Sequence, residues 1–269
     1  ILLNAIYHSK LFASLSYNDM PFILSPNLWA RIQKNTVHTD LVERAHGDGI
    51  KVSSKSPEAF EEVFWRTFED SNNYSIEKFK NYINLITHKY GKERYLSKNN
   101  QNIKRLDILS KIFENSKILI PFRDPIQHAN SMLTQHKKFI KESKKDKFIS
   151  KYMFWIGHTE FGPNYIPINS NKIIFTDDMK IEHWIEQWVK VYEECLIKFR
   201  LAGNVYFISY EKICNSQEYW NEILKLLNIK YTYKYNFIES KKDLKVKQND
   251  LTKKSYDIYD SLSQFNFVS

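Results

Sequence analysis

Cysteine, glycine and proline are scarce in this sequence of 269 residues, which contains 2, 6 and 7 of them respectively. Two cysteines, Cys195 and Cys214, are too few for a disulfide framework or a zinc knuckle. A reducing, cytoplasmic environment is the simplest expectation, and a single disulfide bridge is the alternative. The shortage of glycine and proline argues against an all-β protein built on many tight turns. No apolar run approaches the roughly 20 residues of a transmembrane helix. These absences favour a globular protein without a membrane segment.

Hydrophobic residues make up 42% of the chain and aromatic residues 15%, which is enough for a substantial core. The formal net charge of +9 fits a partner rich in phosphate, sulfate or carboxylate. A solvated, lysine-rich surface explains the charge equally well, so the charge by itself does not identify a ligand. The chain opens at Ile1 inside a helical pattern, without Met or a helix cap, and we therefore expect its natural N-terminus to lie further upstream.

The pattern of the chain alternates short buried strands with amphipathic helices. Ser56-Pro57-Glu58 predicts one helix start, and a second helix begins near Ser75 and ends at Gly91. Three segments are predicted as strands that helices follow: 95–97, 117–122 and 205–210. Such alternation implies right-handed crossovers and a parallel sheet. We predict one α/β domain, a parallel sheet flanked by helices, with residues 141–170 as a helical or irregular insertion.

The segment from Lys117 to Ser131 carries the strongest chemical signal. Arg123 follows a buried strand directly, and the next helix begins at Pro125. Ligands of parallel sheets collect at the carboxyl ends of strands, where a helix N-terminus and a guanidinium both suit an anion. Ser131 lies two turns into that helix. An alternative is that Arg123 only pairs with Asp124 or Glu114 and that Ser131 is a surface residue.

This segment resembles the 3′-phosphate motif of sulfotransferases that use 3′-phosphoadenosine 5′-phosphosulfate (PAPS), in which Arg and Ser flank a strand-to-helix turn. Other segments resemble the same family, in particular its tyrosylprotein branch, and follow in its order: Leu2–Ile6, Arg94–Asn100, Ser209–Ile213 and Leu226–Ile229. The resemblance runs from residue 1 to about residue 265. It implies a P-loop NTPase-like sulfotransferase fold, with the family's 5′-phosphosulfate loop upstream of Ile1. The alternative is a protein that has lost this loop and the activity with it.

The resemblance also implies roles for individual residues. PAPS would be bound by Arg123, Ser131, Tyr210 and Lys241, the last in a second 3′-phosphate segment with Ser240 and Lys242. Lys98 would contact the transferring sulfuryl group, and Asp19 would be the base that accepts the proton of the acceptor. The alternatives are a surface lysine at Lys98, a turn residue at Asp19 and a core aromatic at Tyr210.

The acceptor is a hydroxyl or amine of a small molecule, glycan or peptide, and the sequence does not decide among these. Its site is predicted to include Asp48, Trp65, His158 and Glu160, although the last two could equally be loop capping groups. No His, Cys and carboxylate set has the spacing of metal ligands, so we expect no metal requirement. No nucleic-acid partner is expected.

Two other functions fit part of the pattern. A P-loop nucleotide kinase would also have its phosphate loop before residue 1, but the Arg123-to-Ser131 arrangement favours a phosphoadenosine ligand. A non-catalytic binder of sulfated glycans or nucleic acid would use the basic surface alone, and its binding would be sensitive to salt without needing a nucleotide.

Overall fold

The computed structural model describes residues 1–33, 40–43, 51–69, 74–168 and 174–265. The chain divides into two compact units, Ile1–Asn100 with Tyr152–His158, and Gln101–Lys151 with Thr159–Ser269. Both units combine helices with a small parallel pair of strands, so the protein is α/β with helices flanking small parallel sheets.

Among the described residues up to position 99, the first unit has four helices, a 3₁₀ turn and four short strands. They are α1 (Leu2–Tyr7), β1 (Phe12–Ala13), the turn Tyr17–Asp19, α2 (Pro26–Ile32), β2 (Val42–Glu43), β3 (Lys51–Val52), α3 (Glu61–Phe68), α4 (Tyr74–Tyr90) and β4 (Arg94–Tyr95). Strands β1 and β4 are parallel, whereas β2 and β3 are antiparallel. Helix α4 ends at Gly91, whose φ of +59° is the left-handed conformation predicted for this stop signal.

An aromatic core holds α3 against α4 in this unit. The Phe64 and Tyr82 rings stack with centroids 4.9 Å apart, and the Trp65 and Phe79 rings lie 4.4 Å apart. All four side chains are buried. Aromatic pairs at such distances add to the stabilisation that their buried area provides.

The predicted helix start at Ser56-Pro57-Glu58 is wrong, because α3 begins only at Glu61. Pro57 instead forms an antiparallel bridge with Ser16, and the Glu58 amide donates to the Leu15 carbonyl at 3.0 Å. A pairing with a segment some 40 residues away therefore overrides a local capping signal.

The second unit contains the longest helices and the longer pair of strands. Its elements are the 3₁₀ segment Asn100–Arg105 (which begins at the last residue of the first unit), α5 (Leu106–Ile112), β5 (Ile118–Phe122), α6 (Pro125–Lys145), α8 (Ile181–Phe199), β6 (Val205–Ser209), α9 (Tyr210–Asn215), α10 (Gln217–Leu226) and α11 (Asp250–Gln264). Helix α7 (Lys147–Trp155) begins in this unit and ends in the first. The segment predicted as an insertion, 141–170, contains the end of α6 and all of α7, while its described residues 156–168 form no helix.

Strands β5 and β6 form the parallel pair that positions the candidate site. Their register runs from Ile118 opposite Val205 to Phe122 opposite Ser209. Phe122, Phe207 and Ile208 are almost fully buried, and each such side chain contributes about 1.5–3 kcal/mol through burial. The sequence predicted both strands and the helix start at Pro125 correctly, since each depends on local signals.

Candidate functional site

The carboxyl ends of β5 and β6 bring two predicted cofactor residues together. Because Phe122 lies opposite Ser209, the next residues along the two strands, Arg123 and Tyr210, are neighbours. The Arg123 guanidinium carbon lies 4.8 Å from the centroid of the Tyr210 ring, in cation–π geometry. The Arg123 side chain thus lies across the tyrosine ring at the edge of the sheet where ligands of parallel sheets bind.

The two turns that follow these strands are joined by Glu211. Its carboxylate accepts hydrogen bonds from the Asp124 amide at 2.9 Å and from the Tyr259 hydroxyl at 3.2 Å. Asp124 itself is the N-cap of α6 and accepts from the Gln127 amide at 2.8 Å. The Asp124 and Gln127 amides at the start of α6 therefore already donate to carboxylates. Anion binding here would depend on the Arg123 guanidinium rather than on these amides.

The segment Ile238–Lys242, which we call the strap, is held against this edge by side chains. The Tyr210 hydroxyl donates to the Ile238 carbonyl at 3.0 Å and accepts from the Ser240 amide at 3.1 Å. The Arg123 guanidinium donates to the Ser240 carbonyl. Within the described part of the chain, Arg123 makes no ion pair with Asp124 or Glu114. The alternative that Arg123 only pairs with one of these two carboxylates is therefore wrong.

Tyr210 is suited to hold the strap as a neutral hydroxyl. Burial raises the pKa of its phenol, while the Ser240 amide and the Arg123 charge act in the opposite direction. The group therefore stays protonated at neutral pH and can donate to Ile238 while it accepts from Ser240. Tyr210 is half-buried and in direct contact with the predicted anion-binding residues, rather than being only a core aromatic.

Lys241 and Lys242 are exposed on the strap. Neither ammonium group has a hydrogen bond or an ion pair with any residue that the structure describes. The Gln127 side chain forms two hydrogen bonds with the Lys242 backbone. Gln127 was not predicted as a site residue. Nothing local marks Gln127, since a glutamine in the first turn of a helix is ordinary. Ser131 is half-buried in α6, and no hydrogen bond joins it to the strap, Arg123 or Tyr210 within the described residues.

Asp19, the predicted base, lies fully buried in the first unit. Its carboxylate accepts from the Ser16 amide at 2.6 Å, the Tyr90 hydroxyl at 2.6 Å and the Lys89 ammonium at 2.5 Å. Ser16 and Asp19 form a reciprocal capping box around the 3₁₀ turn. In this arrangement Asp19 is a paired, structural carboxylate, and its role as a base remains a hypothesis. No local pattern indicates Lys89 as its partner.

Lys98, the predicted sulfuryl contact, is exposed three residues after β4. Its neighbours are fixed by carboxylates at the start of α3. The Ser97 hydroxyl donates to Glu61, and the Asn99 amide donates to Glu62 at 2.8 Å. The backbone on both sides of Lys98 is thus fixed by side-chain contacts, while its own side chain reaches solvent.

The predicted acceptor residues that the structure describes belong to both units. Trp65 is a core residue, 3% exposed, and its indole N–H donates to Glu61 at 3.1 Å. His158 follows α7 in the first unit, and its amide donates to the Met153 carbonyl at 2.9 Å. Glu160 belongs to the second unit and accepts from the Thr159 amide at 3.0 Å. Asp48 lies outside the described residues.

Within the ranges that the structure describes, no three His, Cys, Asp or Glu side chains are grouped to hold a metal ion. The same ranges include no helix both long and apolar enough to cross a membrane. Comparisons with protein-family models, curated proteins and solved structures find no match to this chain.

Proposed function

We propose that this protein is a sulfotransferase that takes the sulfuryl group of PAPS to a hydroxyl or amine acceptor. The observation that carries the proposal is the contact of Arg123 with both Tyr210 and the strap. The resemblance assigns these three segments to the nucleotide, and they meet at the carboxyl ends of two parallel strands. Arg123 and Ser240 are separated by 117 positions in the chain, so no local pattern requires that contact.

A phosphate group would be recognised here mainly by Arg123. The guanidinium presents a planar fork of donors, and a charged phosphate oxygen is a stronger acceptor than the neutral Ser240 carbonyl that it now contacts. The exposed ammonium groups of Lys241 and Lys242 add positive charge on the strap. This donor set fits the 3′-phosphate of a bisphosphorylated adenosine nucleotide, on a P-loop NTPase-like sulfotransferase fold.

The proposed reaction breaks the bond between sulfur and the bridging oxygen of PAPS and forms a bond between sulfur and the acceptor oxygen or nitrogen. The acceptor proton passes to a base, and adenosine 3′,5′-bisphosphate leaves with the electron pair of the broken bond. Lys98 would stabilise charge on the transferring group, as the resemblance implies. Asp19 would be the base only if its pairing with Lys89 allows it to take a proton.

The acceptor is proposed as a hydroxyl or amine of a small molecule, glycan or peptide. A cytoplasmic location is part of the same proposal. It is supported by Cys195 and Cys214, which are both unpaired. Burial raises the pKa of the Cys195 thiol to about 12, so this group stays protonated and unreactive at neutral pH.

Calorimetric titration with adenosine 3′,5′-bisphosphate tests the proposal. Arg123→Ala should weaken binding by about 1.5–3 kcal/mol, the range for a hydrogen bond to a charged group. Arg200→Ala is the matched control, because Arg200 is an exposed arginine of the same unit and lies outside the site. It should bind the bisphosphate as the wild type does.

Three results would contradict the proposal in different ways. Equal affinities of the wild type and Arg123→Ala would remove Arg123 from the site. Transfer of the γ-phosphate of ATP would indicate the nucleotide kinase instead. Salt-sensitive binding to heparin with no nucleotide binding would indicate the non-catalytic polyanion binder.

A further inference from the structure

The strap has no secondary structure that would hold it in place. Residues 230–249 contain neither helix nor strand. The strap is instead fixed at two ends by side chains from the turns that follow β5 and β6. Tyr210 binds its first half, as described above, and Gln127 binds its last residue. The position of the strap thus depends on these side chains rather than on a ladder of backbone hydrogen bonds.

Gln127 pairs with the backbone of one strap residue through both halves of its amide. Its Nε2 donates to the Lys242 carbonyl at 2.8 Å, and its Oε1 accepts from the Lys242 amide at 3.0 Å. Only a side-chain amide supplies a donor and an acceptor in this arrangement. The position of Gln127 is fixed in turn, because its backbone amide donates to the side chain of Asp124, the N-cap of α6.

We propose that Gln127 is a positioning residue that makes the site selective for a nucleotide with a second phosphate. This inference rests on the proposed function. Gln127 holds the Lys242 backbone beside the first turn of α6, two residues after the Ser240 carbonyl that Arg123 contacts. The backbone that carries Lys241 and Lys242 is therefore held in place before any ligand arrives, and the entropy of ordering the strap is not lost on binding.

A nucleotide without the second phosphate gains nothing from these lysines. Loss of the pairing should therefore weaken only the ligand that reaches the strap. Gln127→Met keeps the length of the side chain and removes both hydrogen bonds. Gln127→Glu keeps the acceptor for the Lys242 amide and loses the donor for its carbonyl, and it serves as the second variant. Gln217→Met is the matched control, since Gln217 is an exposed glutamine in the first turn of α10.

The affinities of adenosine 3′,5′-bisphosphate and adenosine 5′-phosphate are measured for each variant by calorimetry. Gln127→Met should weaken the bisphosphate about tenfold, as expected when one charge-assisted hydrogen bond is lost, and leave adenosine 5′-phosphate within about twofold. Gln127→Glu should show a loss of the same kind, and Gln217→Met should match the wild type. A general structural defect would weaken both nucleotides together and would overturn the inference.

Hydrogen exchange without ligand provides the second measurement. The Lys242 amide should exchange about tenfold faster in Gln127→Met, because it loses its acceptor. If the wild type prefers the bisphosphate and Gln127→Met keeps that preference, this inference alone is wrong. If the wild type does not distinguish the two nucleotides, the proposed function and the selective role of Gln127 both fail, whatever the exchange rate.

Discussion

At the scale of a single residue, a catalytic and a structural role can be distinguished for Asp19. The resemblance assigns it proton transfer, whereas its surroundings are those of a buried ion pair. Its carboxylate is completely buried and the Lys89 side chain is 12% exposed. Both carboxylate oxygens already accept hydrogen bonds, Oδ1 from Lys89 and Oδ2 from Ser16 and Tyr90, and this geometry favours the structural role.

We predict that Asp19→Asn lowers the free energy of unfolding by about 3–5 kcal/mol, because it leaves the Lys89 ammonium without its countercharge in a largely buried place. Urea denaturation provides the measurement. The control is Asp107→Asn, which removes an exposed carboxylate that lies 3.1 Å from Lys198 and should cost at most about 1 kcal/mol. Normal stability with a reduced kcat would favour the catalytic role of Asp19 instead.

At the scale of elements, the turn after α7 depends on a glycine. Gly157 has a φ of +73°, and a Cβ built there would lie 2.5 Å from the Glu62 Cγ and 2.9 Å from the Arg66 Cδ on α3. The absence of a side chain therefore allows this turn to approach α3. Gly91 also has a positive φ of +59°, but a Cβ there would meet nothing within 4 Å.

This difference predicts the order of two alanine variants in urea denaturation. Gly91→Ala should cost about 1–2 kcal/mol, the backbone cost of the left-handed conformation for a residue with a side chain. Gly157→Ala should cost about 1–3 kcal/mol more, because Glu62 and Arg66 must move. Gly203→Ala, where φ is ordinary and the space is open, should change stability little. Equal costs at Gly91 and Gly157 would contradict the close packing against α3.

At the scale of the whole molecule, acid should destabilise the fold through His128, which is half-buried and has an inaccessible Nδ1 atom. Burial and the Arg123 charge lower the pKa of His128 from 6.5 to about 4. The unfolded chain therefore takes up this proton at a higher pH than the folded protein does. The contribution to stability is complete above about pH 6.5 and is lost as the pH falls toward about 4.

We predict that the free energy of unfolding decreases across this window by at most about 1.4 kcal/mol per pH unit from His128. His128→Gln should flatten this part of the profile in urea denaturation measured at several pH values. The same substitution at exposed His8 is the matched control. A profile that is unchanged by His128→Gln would mean that His128 is protonated equally in both states.

The helices and strands with strong local signals were predictable from the sequence. Pro125 after Asp124 begins α6, Gly91 ends α4, and the apolar run before Arg123 forms β5. These features depend on backbone geometry and capping within a few residues. The start of α3 could not be predicted in the same way, because residues 56–58 are held by a pairing with residues 15–16.

The sequence by itself determined which residue types follow each strand, and hence that Arg123 and Tyr210 lie at strand ends. Only the tertiary structure decided their partners. The β5–β6 register brings Arg123 onto Tyr210, and the strap contacts Arg123 from 117 positions away. Gln127 joins that contact without any local signal. Likewise Lys89 neutralises Asp19 from 70 residues away. Local backbone preferences act over one turn, whereas charge pairing and side-chain hydrogen bonds depend on which distant segments the fold packs together.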